Sequence, residues 1–168
     1  MNHSLAALSL LLLAASCGTS DTTKNDMSTP APARENPFAT ESTLFLGAPD
    51  FTKIQNRDFA PAMEEGMKKQ LAEVKVIADN KEAPTFDNTV IALEKSGQEL
   101  TRVSKVFFNL VASNTNDSLQ AINKEMAPKL SAHDDAITMD PKLFARIKAV
   151  YDGLASSALD STSQYLVE

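Results

Sequence analysis

The chain has 168 residues, 43% of them hydrophobic, which is enough for one domain with a core of its own. Five glycines, no tryptophan and two tyrosines leave little from which to build turn-rich strands, so the composition argues against an all-β fold and toward helices. The net charge of -6 comes from 22 acidic and 16 basic residues interspersed along the chain, so no concentrated basic face exists for nucleic-acid phosphates.

The first element is an apolar run from Leu5 to Ala15, of signal-peptide length and too short to stay in a bilayer as a spanning helix. It ends at the sole cysteine, Cys17, with Gly18 and a polar stretch behind it. Leu13-Ala14-Ala15-Ser16-Cys17 resembles a bacterial lipoprotein processing box, in which the cysteine becomes the lipidated first residue of the mature chain. Residues 1–16 are therefore expected to be a signal peptide and Cys17 a lipidation site. The protein is then exported to the cell envelope and anchored to a membrane, with the periplasmic side favoured. An ordinary secretory signal cleaved nearby is the alternative, and it leaves one unpaired thiol. Residues 17–35 are rich in Thr, Ser, Asp, Asn and Pro and have too little apolar content to offset their ordering entropy, so they read as a flexible tether.

Residues 36–168 form the helical region. Asn36-Pro37-Phe38, then Leu44, Phe45, Leu46, Phe51 and Ile54, predict an ordered but irregular arm packed on the domain. Phe59, Met63, Met67, Leu71, Val74 and Ala78 recur at spacings of three and four, which predicts a first helix from about Asn56 to Asp79 with Pro61 in its first turns. The methionines at this spacing, and Met126 below, read as core. A second helix is expected from Phe86 to about Val111 along Val90, Leu93, Gly97, Leu100, Val103 and Phe107, with Gly97 marking a close helix crossing rather than a break. A third carries Leu119, Ile122, Met126, Leu130, His133 and Ile137 on one face, and Pro128 inside it predicts a kink near Lys124 or Glu125. Asp140-Pro141 supplies a cap and a first-turn proline for a fourth helix along Leu143, Ile147 and Val150. Asp160 looks like a fifth cap, but the few residues after it are not expected to complete a helix, which suggests a truncated chain. The fold class is all-α, a helical bundle or one layer of a larger helical protein.

Chemistry is sparse. A zinc hydrolase needs about three His or carboxylate ligands and a general base, commonly two histidines one helical turn apart with a glutamate between them. Past the signal only His133 remains, and His133-Asp134-Asp135 reads as a surface or boundary histidine beside two solvated acids rather than a metal corner. Glu64-Glu65 likewise project about 100° apart on a helix and read as a solvated face, as does Lys68-Lys69. No nucleophile elbow or phosphate loop is present. No catalytic, cofactor or metal residue is therefore assigned in this chain.

The order and spacing of several tracts carry a resemblance: Asn36-Pro37-Phe38, Pro49-Asp50-Phe51, Phe59 to Met67, Ala83-Pro84-Thr85-Phe86-Asp87-Asn88-Thr89, Val106 to Leu110, Ala127 to Leu130, and Leu143 to Ile147. Together they resemble the N-terminal region of the peptidyl-dipeptidase and oligopeptidase family of zinc metallopeptidases, especially its bacterial peptidyl-dipeptidase branch. The resemblance implies the helical front of a larger channel-type enzyme that cuts short peptides and releases dipeptides from their C-termini. Zinc is expected in the full-length enzyme, on a later HExxH helix and glutamate that this chain lacks. The stretch itself is then a non-catalytic channel wall. The alternative is an inactive helical lipoprotein that binds peptides or a partner.

Overall fold

In a computed structural model of the protein, residues 34–154 and 158–167 are described. The expected signal peptide, the tether up to Ala33 and Cys17 lie outside the described residues. Among the described residues every regular element is helical, so the fold is all-α.

The arm is anchored at its start. Asn36 accepts from the Phe38 amide at 3.0 Å and donates to the Asp58 carbonyl at 2.8 Å, which turns Phe38 into the core at 3% exposure. Arg34, counted above with the tether, donates to the Asp58 carboxylate and to the Lys53 carbonyl. Farther along, the expectation of a packed arm needs correction. Phe45 and Leu46 are 86% and 89% exposed, and Leu44 and Phe51 are also exposed. The chain turns sharply there, with Leu46 and Gly47 both at positive φ, and this turn lifts the apolar side chains off the body.

Helix α1 runs from Phe59 to Ala78 and buries Phe59, Met63, Met67, Val74 and Ile77, at the spacing that the apolar stripe predicts. Leu71, placed on the same stripe by the sequence, is instead exposed. The side chains of Lys75 and Lys142 both reach Asp79 at its C-terminal end, and these two ammonium groups hold the Asp79 carboxyl down to about 2.

The expected second helix is in fact two. A π-helical turn, Phe86–Ile91, begins with a reciprocal cap in which Thr85 Oγ1 accepts from the Asn88 amide and Asn88 Oδ1 accepts from the Thr85 amide. It passes into the short α2, Ala92–Glu94, and then the chain breaks at Gly97, which has φ +67. Glycine adopts this left-handed conformation without a Cβ penalty, and the Gly97 amide is held by Glu73 Oε2 at 2.7 Å. From there α3, Gln98–Ser113, sets off along α1. The close crossing belongs to Gly66 instead: a Cβ there would stand 2.9 Å from the Leu100 backbone, so α1 and α3 touch nearly main chain to main chain.

Helix α4, Asp117–Thr138, starts at Asn116, whose side chain accepts from the Leu119 amide, and it continues through Pro128. Helix α5, Pro141–Asp152, starts at Asp140, which accepts from the amides of Lys142 and Leu143 at 2.8 Å each. The expectation that nothing helical forms after Asp160 is also corrected: α6 covers Ser161–Val167, with the Asp160 carboxylate accepting from the Ser163 amide.

Two apolar clusters share α1. Phe38, Phe59, Met63, Val103, Phe107, Leu119 and Met126 form the larger, with the Phe59 ring 5.4 Å from Phe38 and 5.2 Å from Phe107. Val74, Ile77, Ala78 and Leu143 form the smaller, flanked by Leu93, Ile137 and Ile147. Met63, Met67 and Met126 are core, as expected. Each fully buried Phe, Leu or Met contributes about 1.5–3 kcal/mol, so the N-terminal half of α1 with α3 and α4 carries most of the stability.

Candidate functional site

The acidic pairs are spent on ion pairs or face solvent. Glu64 reaches Lys129 on α4 at 2.5 Å and Glu65 faces Lys68, while Asp134 and Asp135 are exposed on α4. Lys69 bridges to Glu99 on α3, so one member of the Lys68-Lys69 pair joins two helices instead of standing free. Among the described residues no three His, Cys, Asp or Glu side chains converge to hold a metal ion.

His133 departs from its expected surface or boundary place. It is 4% exposed, and its Nε2 lies 2.8 Å from Gln70 Oε1 on α1. An amide oxygen only accepts, so Nε2 carries the proton, and Nδ1 is left as a buried acceptor with no partner among the described residues. Burial lowers the His133 pKa, with a smaller opposing pull from the Asp134 carboxylate. The reason for the burial is its register: His133 follows Met126 by seven residues, two helical turns, and so shares the face that meets α1. Gln70 in turn leans across the Gly97 break, where its Nε2 is 3.5 Å from Ser96 Oγ, and Ser96 Oγ donates to the Leu93 carbonyl. A Cβ on Gly97 would fall 2.3 Å from Gln70 Cδ. This polar thread ties α4, α1 and the break between α2 and α3.

A second buried polar centre is Arg146 on α5, 6% exposed. Its Nη1 donates to the carbonyls of Asn80 and Glu82 at 2.9 and 3.0 Å, and its Nη2 to Asn88 Oδ1 and Thr89 Oγ1 at 2.9 and 3.2 Å. All four acceptors are neutral. The guanidinium thus fixes the connection between α1 and the π turn.

Two adjoining open clefts lie between the arm and α3, of about 590 and 810 Å³. Leu46, Phe51, Val106 and Leu110 give the larger an apolar floor, and Arg102 and Lys105 edge it. The Arg102 guanidinium donates to the Phe38 carbonyl at 3.3 Å and stands 3.6 Å from Glu41.

No family model matches the chain. A dipeptidyl carboxypeptidase of Escherichia coli (strain K12) is 44% identical over 133 residues, which is 79% of this chain and 20% of that protein. A dipeptidyl carboxypeptidase of Salmonella typhimurium is 38% identical over 133 residues, with the same coverage. This chain is a relative of the dipeptidyl carboxypeptidases. It spans about 20% of the length of those dipeptidyl carboxypeptidases, so the described helices correspond to one part of such a protein. Three of the tracts that carried the resemblance supply structural contacts: Asn36 and Phe38 anchor the arm, Thr85 and Asn88 cap the π turn, and Arg146 clamps it.

Sequence reasoning passed over Gln70, Ser96 and Arg146 as individual residues. Two of them had a signal. Gln70 stands three after Met67 and four before Val74, and Arg146 three after Leu143 and four before Val150, so each polar side chain falls inside an apolar stripe. A polar residue at such a position must find buried partners.

Proposed function

We propose that this chain is the non-catalytic helical wall of an exported zinc peptidyl-dipeptidase, and that it restricts the peptide channel by shape. The observation that carries the reading is the 44% identity to a dipeptidyl carboxypeptidase over a stretch equal to 20% of that protein. The described residues do not fit zinc, since they offer no converging ligand set, so the metal and the hydrolytic chemistry belong to the remainder of the enzyme. Short peptides are the substrates of that enzyme, and dipeptides leave from their C-termini. Lipidation at Cys17 holds the protein to the envelope membrane on its periplasmic side, and the polar stretch up to Ala33 spaces the helices from the surface. No helix among the described residues is long and apolar enough to cross a membrane.

The test is a graft. The matched 133 residues of the Escherichia coli dipeptidyl carboxypeptidase are replaced by those of this chain, and release of dipeptides from a short blocked peptide is followed with zinc present. The chimera is expected to work within about tenfold of its parent, and this chain alone with zinc to release nothing. Hydrolysis by the chain alone would overturn the wall reading, and a folded but inert chimera would leave a helical binding module.

A further inference from the structure

Four large apolar side chains, Leu44, Phe45, Leu46 and Phe51, are exposed together on the arm, and the larger cleft continues their surface onto α3. Leu46 holds a left-handed backbone, φ 55, while its own side chain is 89% exposed. A non-glycine residue in this region costs of order 1 kcal/mol, and a side chain left 89% exposed returns little burial for it. A strained turn that presents apolar groups to water is shaped for contact with something else.

We propose that this face, the arm turn together with Lys105, Val106 and Leu110 of α3, is the seat of the part of a dipeptidyl carboxypeptidase lying outside the matched stretch, joined through an apolar surface that carries a carboxylate opposite Lys105. The inference rests on the reading of the chain as one portion of such an enzyme. Two observations select the occupant. The relatives extend far beyond the matched stretch, which is 20% of their length, so a body large enough to cover the face belongs to the same polypeptide in them. Lys105, exposed at the edge of the cleft, has no ion-pair partner among the described residues, so its ammonium is available to a carboxylate on the covering body. Burial of Phe45, Leu46 and Phe51 supplies the apolar drive and Lys105 the register.

The experiment is thiol footprinting in a Cys17→Ser background. Phe45→Cys, Leu46→Cys, Phe51→Cys and, as reference, the exposed Val76→Cys are placed one at a time in this chain and in the chimera described above, and maleimide modification is read at each site by peptide mass. In this chain all four should react freely. In the chimera the three arm sites should slow at least tenfold and Val76→Cys should not. A dipeptide-releasing chimera whose arm thiols stay reactive overturns the inference while the proposed function stands. Protected arm thiols in an inert chimera support the inference and sink the proposed function. Slowing of all four sites alike overturns the assignment to this face. Slowing in the isolated chain as its concentration rises, or on addition of a short peptide, overturns it in favour of a second copy or a peptide as occupant. Should the chimera not fold, the chain is added to the Escherichia coli enzyme lacking the matched residues, and unprotected arm thiols in that mixture overturn the inference as well.

Discussion

Arg146 brings a charge into a site that offers only neutral oxygens: two main-chain carbonyls, one amide and one hydroxyl. Its planar fork reaches all four at once, and a lysine ammonium at the same place cannot. Arg146→Lys is therefore expected to lose about 2–4 kcal/mol, seen in urea unfolding as a lower midpoint at unchanged slope. His133 makes a prediction of a different kind. Burial lowers its folded-state pKa below the unfolded value near 6.5, so the unfolded chain takes up the proton first. The stability it contributes is fully present above pH 6.5 and is lost as pH falls through the folded pKa. His133→Gln keeps a hydrogen-bonding partner for Gln70 but does not titrate, so the fall in unfolding midpoint between pH 7.5 and 5.5 should shrink in this variant. An unchanged fall would place the titrating group elsewhere. At this scale the sequence was legible where partners are local. Asp140 caps α5 through amides two and three residues away, and Asp140-Pro141 announced it. The partners of Arg146 and His133 lie 57 to 66 residues off, so only their places inside apolar stripes hinted at burial.

Helix existence followed from periodicity, but the division of the expected second helix did not. The stripe Phe86, Val90, Leu93, Gly97, Leu100, Val103 stays in phase across the break, so a period of three and four cannot register the left-handed turn at Gly97. The crossing glycine was equally hidden, because Gly66 sits on an ordinary α1 stripe and only the approach of Leu100 gives it meaning. Gly66→Ala should destabilise by about 1–3 kcal/mol by forcing α1 from α3, although alanine is the better helix former by about 1 kcal/mol. A rise in thermal midpoint would show that the two backbones are not so close. The fifth helix was misjudged because length was weighed above capping: Asp160 closes on the Ser163 amide and seven residues then suffice for α6. The exposed turn of the arm had no signal at all, since apolar residues without a period do not say which way they face.

The two apolar clusters lie along one helix. Phe59, Met63 and Met67 belong to the first and Val74, Ile77 and Ala78 to the second, so neither can melt without releasing α1. Met126→Ala in the first and Leu143→Ala in the second should each cost about 2–5 kcal/mol and shift a single shared transition, with calorimetric and van't Hoff enthalpies in agreement. Separate transitions would show that the clusters are independent. The clamp at Arg146 bears on how such a molecule is made. Synthesis delivers α1, the π turn and α3 first, and their mutual packing can begin at once, yet the connection from Asn80 to Thr89 must wait 57 to 66 residues for its guanidinium. Until Arg146 has left the ribosome that connection carries bare carbonyls, and the nascent chain holds two packed helices joined by an unfastened strap.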